Sequence, residues 1–303
     1  MTYSPHPSKQ IILITGASSG IGAALALMLA QQFPGVRLAL TARRQDKLQG
    51  VADLCQGAEC LVVPTDFSST EQVQRLSEIV LDRWGQVDAV INNAGYGQMG
   101  PIELMSPESA KTQFQVNFHG PLTLIQSLIP GMRNRGGGRI INISSLGGRM
   151  AFPGGGLYSA SKFALEALSD VLRMELNGFN IKVSVIEPGP VVTEFFQAAW
   201  KEVKKGIPDP ESTLYAPVFA KIERIDKQLK ALGWTSEQVA RVVIRALTSN
   251  NPRPRYYAAT GGQIFVPLMT KLMPTSVTDA FWKHFYGIDE VEKIWKTQLL
   301  KEN

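Results

Sequence analysis

Tyr158 and Lys162 are the residues whose types and spacing most clearly suggest chemistry in this sequence of 303 residues. They stand four positions apart in the stretch Leu157–Leu176, whose apolar periodicity predicts a helix, so both side chains share one helix face. A phenol exchanges a proton near neutral pH only when its pKa falls well below about 10. An ammonium group one turn away favours the phenolate and lowers that pKa. The pair therefore indicates a tyrosine that acts as general acid or base.

Ser145 is a second candidate for the reaction centre. It follows the predicted strand Arg139–Ser144, and open α/β sheets bind ligands beyond the C-terminal ends of their strands. A hydroxyl at that edge can hydrogen-bond a carbonyl oxygen as the oxygen becomes an alkoxide. A serine at such a position is, taken alone, more often a turn residue, so this assignment depends on the other motifs.

The segment Thr15–Gly22 predicts a nucleotide-binding loop, because it follows a predicted strand and opens the predicted helix Ile21–Gln32. Gly16 permits a sharp turn, Gly20 lets backbone N–H groups approach a pyrophosphate, and Gly22 allows close packing of helix on strand. The helix N-terminus then offers its positive end to the phosphates. Such loops also cap helices that bind no ligand, but the strand–loop–helix context favours a dinucleotide.

The end of the second predicted strand, Val36–Thr41, indicates which dinucleotide binds. Sites that prefer NAD place an acid about 20 residues after the glycines to bind the ribose 2′-hydroxyl. Here that zone contains Arg43 and Arg44 and no acid. A guanidinium pairs bidentately with a phosphate, so we expect NADP(H) as the cofactor. The alternative is that the two arginines only begin a solvent-exposed helix.

The elements that must position these residues alternate between short β-branched runs and longer amphipathic stretches. This alternation predicts an α/β fold, a single Rossmann-type doubly wound parallel sheet with helices on both faces. The stretch 106–135 predicts a helix interrupted near Gly120-Pro121. Residues 1–260 are expected to form the dinucleotide-binding domain with the catalytic site. Residues 261–303 are expected to form a helical C-terminal extension of the same domain.

Composition excludes several function classes. The net charge is +5, but the 31 basic residues are dispersed among 26 acidic ones, so we expect no nucleic-acid partner. No apolar run approaches the roughly 18–20 residues of a transmembrane segment. The two cysteines form no C-x-x-C pair and the three histidines are scattered, so we expect no metal site. The few cysteines also favour a cytoplasmic location.

Together these motifs resemble the short-chain dehydrogenase/reductase family, and they occur in the family's order over roughly residues 10–195. The matching residues are Thr15–Gly22, Asn92–Gly95, Asn117, Ser144-Ser145, Tyr158-x-x-x-Lys162 and Pro188–Thr193.

The resemblance implies a catalytic role for four of these residues. Tyr158 is the implied proton donor or acceptor, and Lys162 lowers the pKa of Tyr158 and binds the nicotinamide ribose. Ser145, rather than the adjacent Ser144, has the family's spacing to the tyrosine and is implied to hold the substrate oxygen. Asn117 is implied to hold a water in a proton relay behind the lysine. Without the other motifs, Asn117 is an amide that caps a helix kink.

The resemblance also implies how the cofactor is held. Asn93 fixes the loop beside it, Thr193 holds the nicotinamide carboxamide, and Asp66 contacts the adenine, although Asp66 also suits a helix N-cap. The predicted cofactor-binding residues are Gly16, Ser18, Ser19, Gly20, Ile21, Gly22, Arg43, Arg44, Asp66, Asn93, Ala94, Gly95, Tyr158, Lys162, Pro188, Gly189, Val191 and Thr193.

The apolar C-terminal segment 261–286 resembles that of the hydroxysteroid and retinol dehydrogenase branch, and it predicts a lipophilic substrate if it walls the substrate cleft. Alternatively it is core that covers the sheet, or an interfacial membrane contact, for which its charges form no clear basic face. The apolar residues in question are Phe265, Leu268, Met269, Leu272, Met273, Phe281 and Trp282.

The leading interpretation is an NADP(H)-dependent oxidoreductase that interconverts a ketone or aldehyde and an alcohol. A sugar-nucleotide epimerase or dehydratase is one alternative, but those enzymes resemble a TGxxGxxG pattern, whereas Gly16, Gly20 and Gly22 fit TGxxxGxG. A non-enzymatic NADP-binding regulator is another, although such proteins typically lose the tyrosine or the lysine. By resemblance we expect a homodimer or homotetramer that pairs through helices spanning 122–132 and 157–176.

Overall fold

Seven parallel strands form the central sheet of the computed structural model, which describes residues 7–302. In spatial order they run β3-β2-β1-β4-β5-β6-β7, so the chain reverses direction across the sheet between β1 and β4. A crevice forms at such a switch point, beyond the C-terminal strand ends. The strands are β1 (Ile11–Thr15), β2 (Arg37–Ala42), β3 (Glu59–Pro64), β4 (Ala89–Asn92), β5 (Gly138–Ile143), β6 (Ile181–Pro188) and β7 (Arg255–Ala258).

Helices cover both faces of this sheet, which confirms the doubly wound α/β fold. Those of the main body are α1 (Gly20–Gln32), α2 (Gln45–Leu54), α3 (Thr70–Trp84), α4 (Pro107–Phe114), α5 (Gly120–Asn134), α6 (Gly156–Leu176), α7 (Phe195–Gly206), α8 (Ala216–Leu232) and α9 (Ser236–Thr248). The C-terminal extension adds α10 (Gly262–Pro267), α11 (Thr275–Phe285) and α12 (Ile288–Glu302).

Alternating side chains of β1 supply two separate cores. Ile12 and Ile14 pack with α1, α2 and α9 on one face, while Ile11 and Leu13 pack with α3, α5 and α6 on the other. All four side chains are fully buried. Because both faces are covered, the strand is a continuous apolar run rather than an alternating one. The two cores hold the strand ends, and therefore the loops that follow them, in fixed positions.

A π-helical turn, Gln115–His119, replaces the interruption expected near Gly120. The Gly120 N–H bonds to the carbonyl of Gln115, five residues back, and Pro121 has no N–H to donate. The stretch 106–135 is therefore helical through α4, the π-helical turn and α5. The deviation lies at Asn117, one of the predicted site residues.

The C-terminal extension packs against the main body through two small apolar clusters. Val266 and Met269 are buried with Met150, while Val291 of α12 packs with Val218 of α8. Among residues 7–302, no helix combines the length and apolar character needed to cross a lipid bilayer.

Candidate active site

A cavity of about 1030 Å³ lies beyond the C-terminal ends of the strands. Its walls combine the loops after β1, β2, β3, β4, β5 and β6 with residues of the C-terminal extension. Every predicted site residue lines it except Gly22 and Asn117. The fold therefore brings together at one site motifs that are far apart along the chain.

Tyr158, Ser145 and Lys162 occupy the centre of this cavity wall. The Ser145 hydroxyl neighbours that of Tyr158 and donates to the Pro188 carbonyl at 3.5 Å. Ser145 Oγ also accepts from the backbone N–H of Gly147 at 3.0 Å. Lys162 Nζ lies 6.0 Å from the centre of the Tyr158 ring and donates to the carbonyl of Ile143 at 2.8 Å. Two hydroxyls therefore converge on one point, with an amine beneath them.

Burial has the largest influence on the pKa values of Tyr158 and Lys162, which are 8% and 5% exposed. It raises the pKa of Tyr158 to about 12, against a smaller lowering by the neighbouring Ser145 hydroxyl. It lowers the pKa of Lys162 to about 8, and the nearby Glu166 carboxylate offsets part of that effect. The lowered tyrosine pKa expected from the lysine is therefore not seen, because desolvation of the phenolate outweighs the attraction of a buried amine.

Asn117 lies behind this group, fully buried in the π-helical turn. Its Nδ2 donates to the carbonyl of Tyr96 at 3.0 Å and to Ser161 Oγ at 3.1 Å, and its Oδ1 accepts from the Tyr96 N–H at 3.1 Å. The amide thus ties the loop after β4 to α6. Lys162 bonds to Ile143 and not to this amide, so the proton-relay role of Asn117 stays a prediction.

The glycine loop is a backbone cradle that larger residues would fill. Gly16 has φ +67°, and a Cβ on Gly22 would lie 2.5 Å from the Gly16 carbonyl oxygen. Asn93 Nδ2 holds the loop by donating to the carbonyl of Thr15 at 2.9 Å. Helix α1 begins at Gly20, and its N-cap Ser19 makes no side-chain cap, so the first N–H groups of the helix are left for a ligand. This arrangement fits the pyrophosphate of a dinucleotide.

Arg44 and Arg43 stand at the open end of the glycine loop. The Arg44 guanidinium donates to Ser18 Oγ at 3.4 Å, to Ser19 Oγ at 3.1 Å and to Glu194 Oε2 at 3.2 Å. Arg43 is exposed and lines the cavity. Both cations therefore line the same end of the cavity as the glycine loop.

Asp66 lies on the cavity wall. It does not cap α3, so the N-cap assignment of Asp66 is wrong, while the adenine contact stays a prediction. The N-cap is Ser69, whose Oγ accepts from the Gln72 N–H at 3.2 Å. Asp66 Oδ1 instead accepts from the Ser68 N–H at 2.9 Å. Asp66 therefore caps the turn before α3 while it lines the cavity.

The opposite wall of the cavity is aromatic. Phe152 stacks on Tyr286 of the extension with ring centres 5.2 Å apart, and Phe195 meets the Tyr158 ring edge-on at 5.5 Å. We call this wall the aromatic half; it consists of Phe152, Phe195, Phe265, Phe281, Trp282, Phe285 and Tyr286. The polar half consists of Gly16, Ser18–Ile21, Arg43, Arg44, Asp66 and Asn93–Gly95.

The apolar residues predicted in segment 261–286 divide among three environments. Those that line the cavity are Phe265, Phe281 and Trp282. Met269 and Met273 pack in a core cluster with Met150 and Val266, against which Phe265 and Trp282 also pack. Leu268 and Leu272 are 40% and 76% exposed. The segment is therefore both cavity wall and core.

A buried charge cluster behind the cavity was missed at the sequence level. Glu187, fully buried at the end of β6, accepts from Arg149 at 3.2 Å and lies 3.3 Å from Arg255 Nε, which also pairs with Glu166 at 3.1 Å. Burial and repulsion from Glu166 raise the pKa of Glu187 to about 7. The available signals were an acid that ends an apolar strand and a Glu166 one helical turn after Lys162.

Comparison with known proteins matches residues 10–204 to the short chain dehydrogenase family model. The chain is 32% identical over 279 residues to 3-ketodihydrosphingosine reductase of Bacteroides thetaiotaomicron, covering 92% of this chain and 98% of that protein. It is 34% identical over 258 residues to human retinol dehydrogenase 8, covering 81% of this chain and 80% of that protein.

Two solved structures share the fold over most of their length. A metagenomic short-chain oxidoreductase in complex with NADP superposes with a TM-score of 0.66 and 27% identity, covering 83% of this chain and 97% of that one. A short-chain dehydrogenase/reductase from Burkholderia phymatum in complex with NAD gives a TM-score of 0.77 and 25% identity, covering 87% and 94%. With the family match and the site geometry, these similarities show that the chain belongs to the short-chain dehydrogenase/reductase family of oxidoreductases and resembles its hydroxysteroid and retinol dehydrogenase branch.

Proposed function

We propose that this protein is an NADP(H)-dependent oxidoreductase that interconverts a lipophilic ketone or aldehyde and the corresponding alcohol. One observation carries the proposal: a single cavity joins a glycine cradle to the neighbouring hydroxyls of Tyr158 and Ser145, and then to an aromatic wall. The cradle suits a dinucleotide, the hydroxyl pair suits a carbonyl oxygen, and the wall suits an apolar substrate body.

The polar half would hold the cofactor. Gly16, Gly20 and the N-terminus of α1 would bind the pyrophosphate, while Arg43 and Arg44 would bind the 2′-phosphate. Asp66, Asn93–Gly95, Lys162 and the segment 188–193 would complete the site. When bound, NADP(H) supplies or accepts the hydride. The end of β2 carries Arg43 and Arg44 in place of an acid, which supports NADP(H), and the related structures include one complex with each dinucleotide.

Tyr158 and Ser145 would act on the substrate oxygen. A phenol with a pKa of about 12 is protonated at neutral pH, so Tyr158 is ready to donate in the reductive direction. As the carbonyl oxygen gains charge, the Ser145 hydroxyl donates a hydrogen bond to it and Tyr158 transfers its proton. The ammonium form of Lys162 stabilises the phenolate that results. Oxidation of an alcohol runs these steps in reverse.

The aromatic half supports a lipophilic substrate. Seven aromatic side chains line it, and five of them belong to the C-terminal extension. The names of the two relatives point the same way, because 3-ketodihydrosphingosine and retinol both carry their reacting oxygen on a long hydrocarbon body. We therefore propose that residues 261–303 complete the substrate cleft as part of the same domain.

A stripe of exposed apolar residues on α6 supports assembly as a homodimer or homotetramer. Phe163, Val171 and Met174 are 43%, 44% and 64% exposed on this helix. Tyr158 and Lys162 lie on the same helix but are buried. Burial of such a stripe against a second copy would remove it from water.

The proposal is tested by mixing the purified protein with NADPH or NADH and a panel of bulky and small ketones, while absorbance of the reduced nicotinamide is followed. We expect NADPH oxidation with bulky ketones and little with small ones. Cofactor binding with no turnover across steroid, retinoid, aliphatic and aromatic carbonyls would indicate a regulator. Conversion of a nucleotide sugar without net cofactor oxidation would indicate an epimerase or dehydratase.

A further inference from the structure

Residues Thr193, Glu194 and Phe195 form a strap that crosses the cavity from the polar half to the aromatic half. Thr193 Cγ2 lies 3.3 Å from the position that a Cβ on Gly20 would take, so the strap starts directly above the glycine loop. Phe195, two residues further along the chain, packs edge-on against the Tyr158 ring. The strap therefore touches both the cradle and the reacting phenol.

Glu194 fixes the middle of this strap by ion pairs. Its Oε2 lies 3.2 Å from Arg44, and its Oε1 lies 3.2 Å from Lys47 of α2. Hydrogen bonds and attraction from these two cations lower the pKa of Glu194, so it is a carboxylate at neutral pH. Glu194 is also the N-cap residue of α7, which begins at the next position. The start of α7 is thus tied to the end of β2 and the start of α2.

The partner of Glu194 is a proposed phosphate ligand. Arg44 reaches Ser18 and Ser19 of the glycine loop with the same guanidinium that binds Glu194. A guanidinium cannot offer its full set of donors to a carboxylate and to a phosphate at once. A phosphate that approaches this corner also meets the negative charge of Glu194, so the two anions exclude each other.

We propose that Glu194 is an internal anion that competes with the 2′-phosphate of NADP(H) for Arg44, so that cofactor binding releases the start of α7. This inference rests on the proposed cofactor preference. Displacement of Glu194 frees the strap beyond Thr193, which stays with the cofactor, and thereby releases the Phe195 ring that packs edge-on against Tyr158. Binding of the 2′-phosphate at one end of the cavity is in this way coupled to the access of substrate to Tyr158 at the other end. Glu194 is a residue that sets cofactor affinity and not a catalytic residue.

The test compares Glu194→Gln with the wild-type protein in titrations of NADPH and NADH followed by nicotinamide fluorescence. We expect the NADPH dissociation constant to fall by about two- to tenfold, because two exposed ion pairs are lost, while that of NADH changes much less. This increase in NADPH affinity should be smaller at high salt concentration, because salt screens exposed charges. The fragment 2′,5′-ADP, titrated by calorimetry, should show the same gain as NADPH.

Glu202→Gln is the matched control. It removes one negative charge from the same helix, but Glu202 pairs with Lys205 within α7 and not with Arg44. We expect its NADPH affinity to stay close to that of the wild type. An equal gain in both variants, or an equal gain for NADH in Glu194→Gln, reduces the effect to general charge and overturns the proposal.

Release of the strap has its own readout. Helix α7 carries Lys201, Lys204 and Lys205, which are trypsin sites. We expect NADP⁺ to accelerate cleavage there in the wild type, and Glu194→Gln to be cleaved rapidly without it. Unchanged affinity and unchanged cleavage in Glu194→Gln, with ketone reduction intact in the wild type, overturn this inference alone. A wild type that binds neither dinucleotide overturns the proposed function instead.

Discussion

The two halves of the cavity are built from different parts of the chain. The polar half is made mainly of backbone at the ends of β1 and β4, which two buried cores hold in place. The aromatic half is made of side chains from the loop after β5, from Phe195 at the start of α7, and from α10, α11 and Tyr286. A backbone cradle recognises what every dinucleotide shares, whereas a wall of side chains can vary with the substrate. The contrast predicts separable effects of mutations in the two halves.

The largest effect is expected at Tyr158, where the halves meet. Tyr158→Phe should lower kcat by about 10²–10⁴-fold, because the phenol hydroxyl is the proposed proton donor, and should leave NADPH binding nearly unchanged. Steady-state kinetics with a bulky ketone and a fluorescence titration measure the two quantities. Tyr96→Phe is the matched control, since it removes another cavity-lining phenol, and it should retain activity. A Tyr158→Phe variant with more than a few per cent of wild-type kcat would contradict the assignment.

Glu187 tests the buried charge cluster behind the cavity, which belongs to neither half. Burial raises its pKa from 4.5 to about 7, so its folded form holds the proton more tightly than the unfolded chain. The contribution of Glu187 to the free energy of unfolding should therefore be fully present below about pH 4.5. It should be lost as the pH rises to about 7, which lowers the free energy of unfolding by about 1–3 kcal/mol. Glu187→Gln should remove this decline in urea unfolding at pH 5 and pH 8. The exposed Glu78→Gln should keep it, and a decline that persists in Glu187→Gln refutes the prediction.

Arg43 tests the cofactor preference of the polar half. NADPH should bind more tightly than NADH, and Arg43→Ala should narrow the ratio about ten- to a hundredfold, because a charge-assisted hydrogen bond to the 2′-phosphate is lost. Titrations of both dinucleotides measure the ratio, with exposed Arg75→Ala as the control. Equal binding of both by the wild type would show that NADP(H) is the wrong assignment. An unchanged ratio in Arg43→Ala would transfer the role to Arg44.

The smallest effect is expected in the C-terminal extension, where a residue of the cavity wall can be compared with a residue of the core cluster. Phe265 lines the cavity, so Phe265→Ala should raise KM for a bulky ketone by roughly 5–30-fold, about 1–2 kcal/mol of lost burial, and barely affect a small one. Met269 is 8% exposed in a core cluster, so Met269→Ala should lower Tm and affect both substrates alike. Uniform losses in both variants that follow Tm would show that the aromatic half does not contact substrate.

Local periodicity and strand ends were sufficient to predict the sheet and the cradle, whereas the grouping of the catalytic candidates was predicted through the resemblance to a family. The ion pair between Glu166 and Arg255 joins residues 89 positions apart, which no local pattern indicates. The tyrosine pKa differed from expectation because burial, and not spacing, determines desolvation. Phe265 lies in α10 and Met269 in the π-helical segment Leu268–Leu272 that follows it, and only the packing of these two segments decides which side chain reaches the cavity.

The π-helical turn at Gln115–His119 has an evolutionary consequence. It holds one more residue than an α-helical turn would, so it is equivalent to a single-residue insertion in a longer helix. Loss of one residue there would let α4 and α5 merge into a regular helix and rotate them by about 100° relative to each other. The Asn117 amide would then leave Tyr96 and Ser161. A single-residue deletion in this helix would therefore dismantle the site even when it removes no residue that lines the cavity.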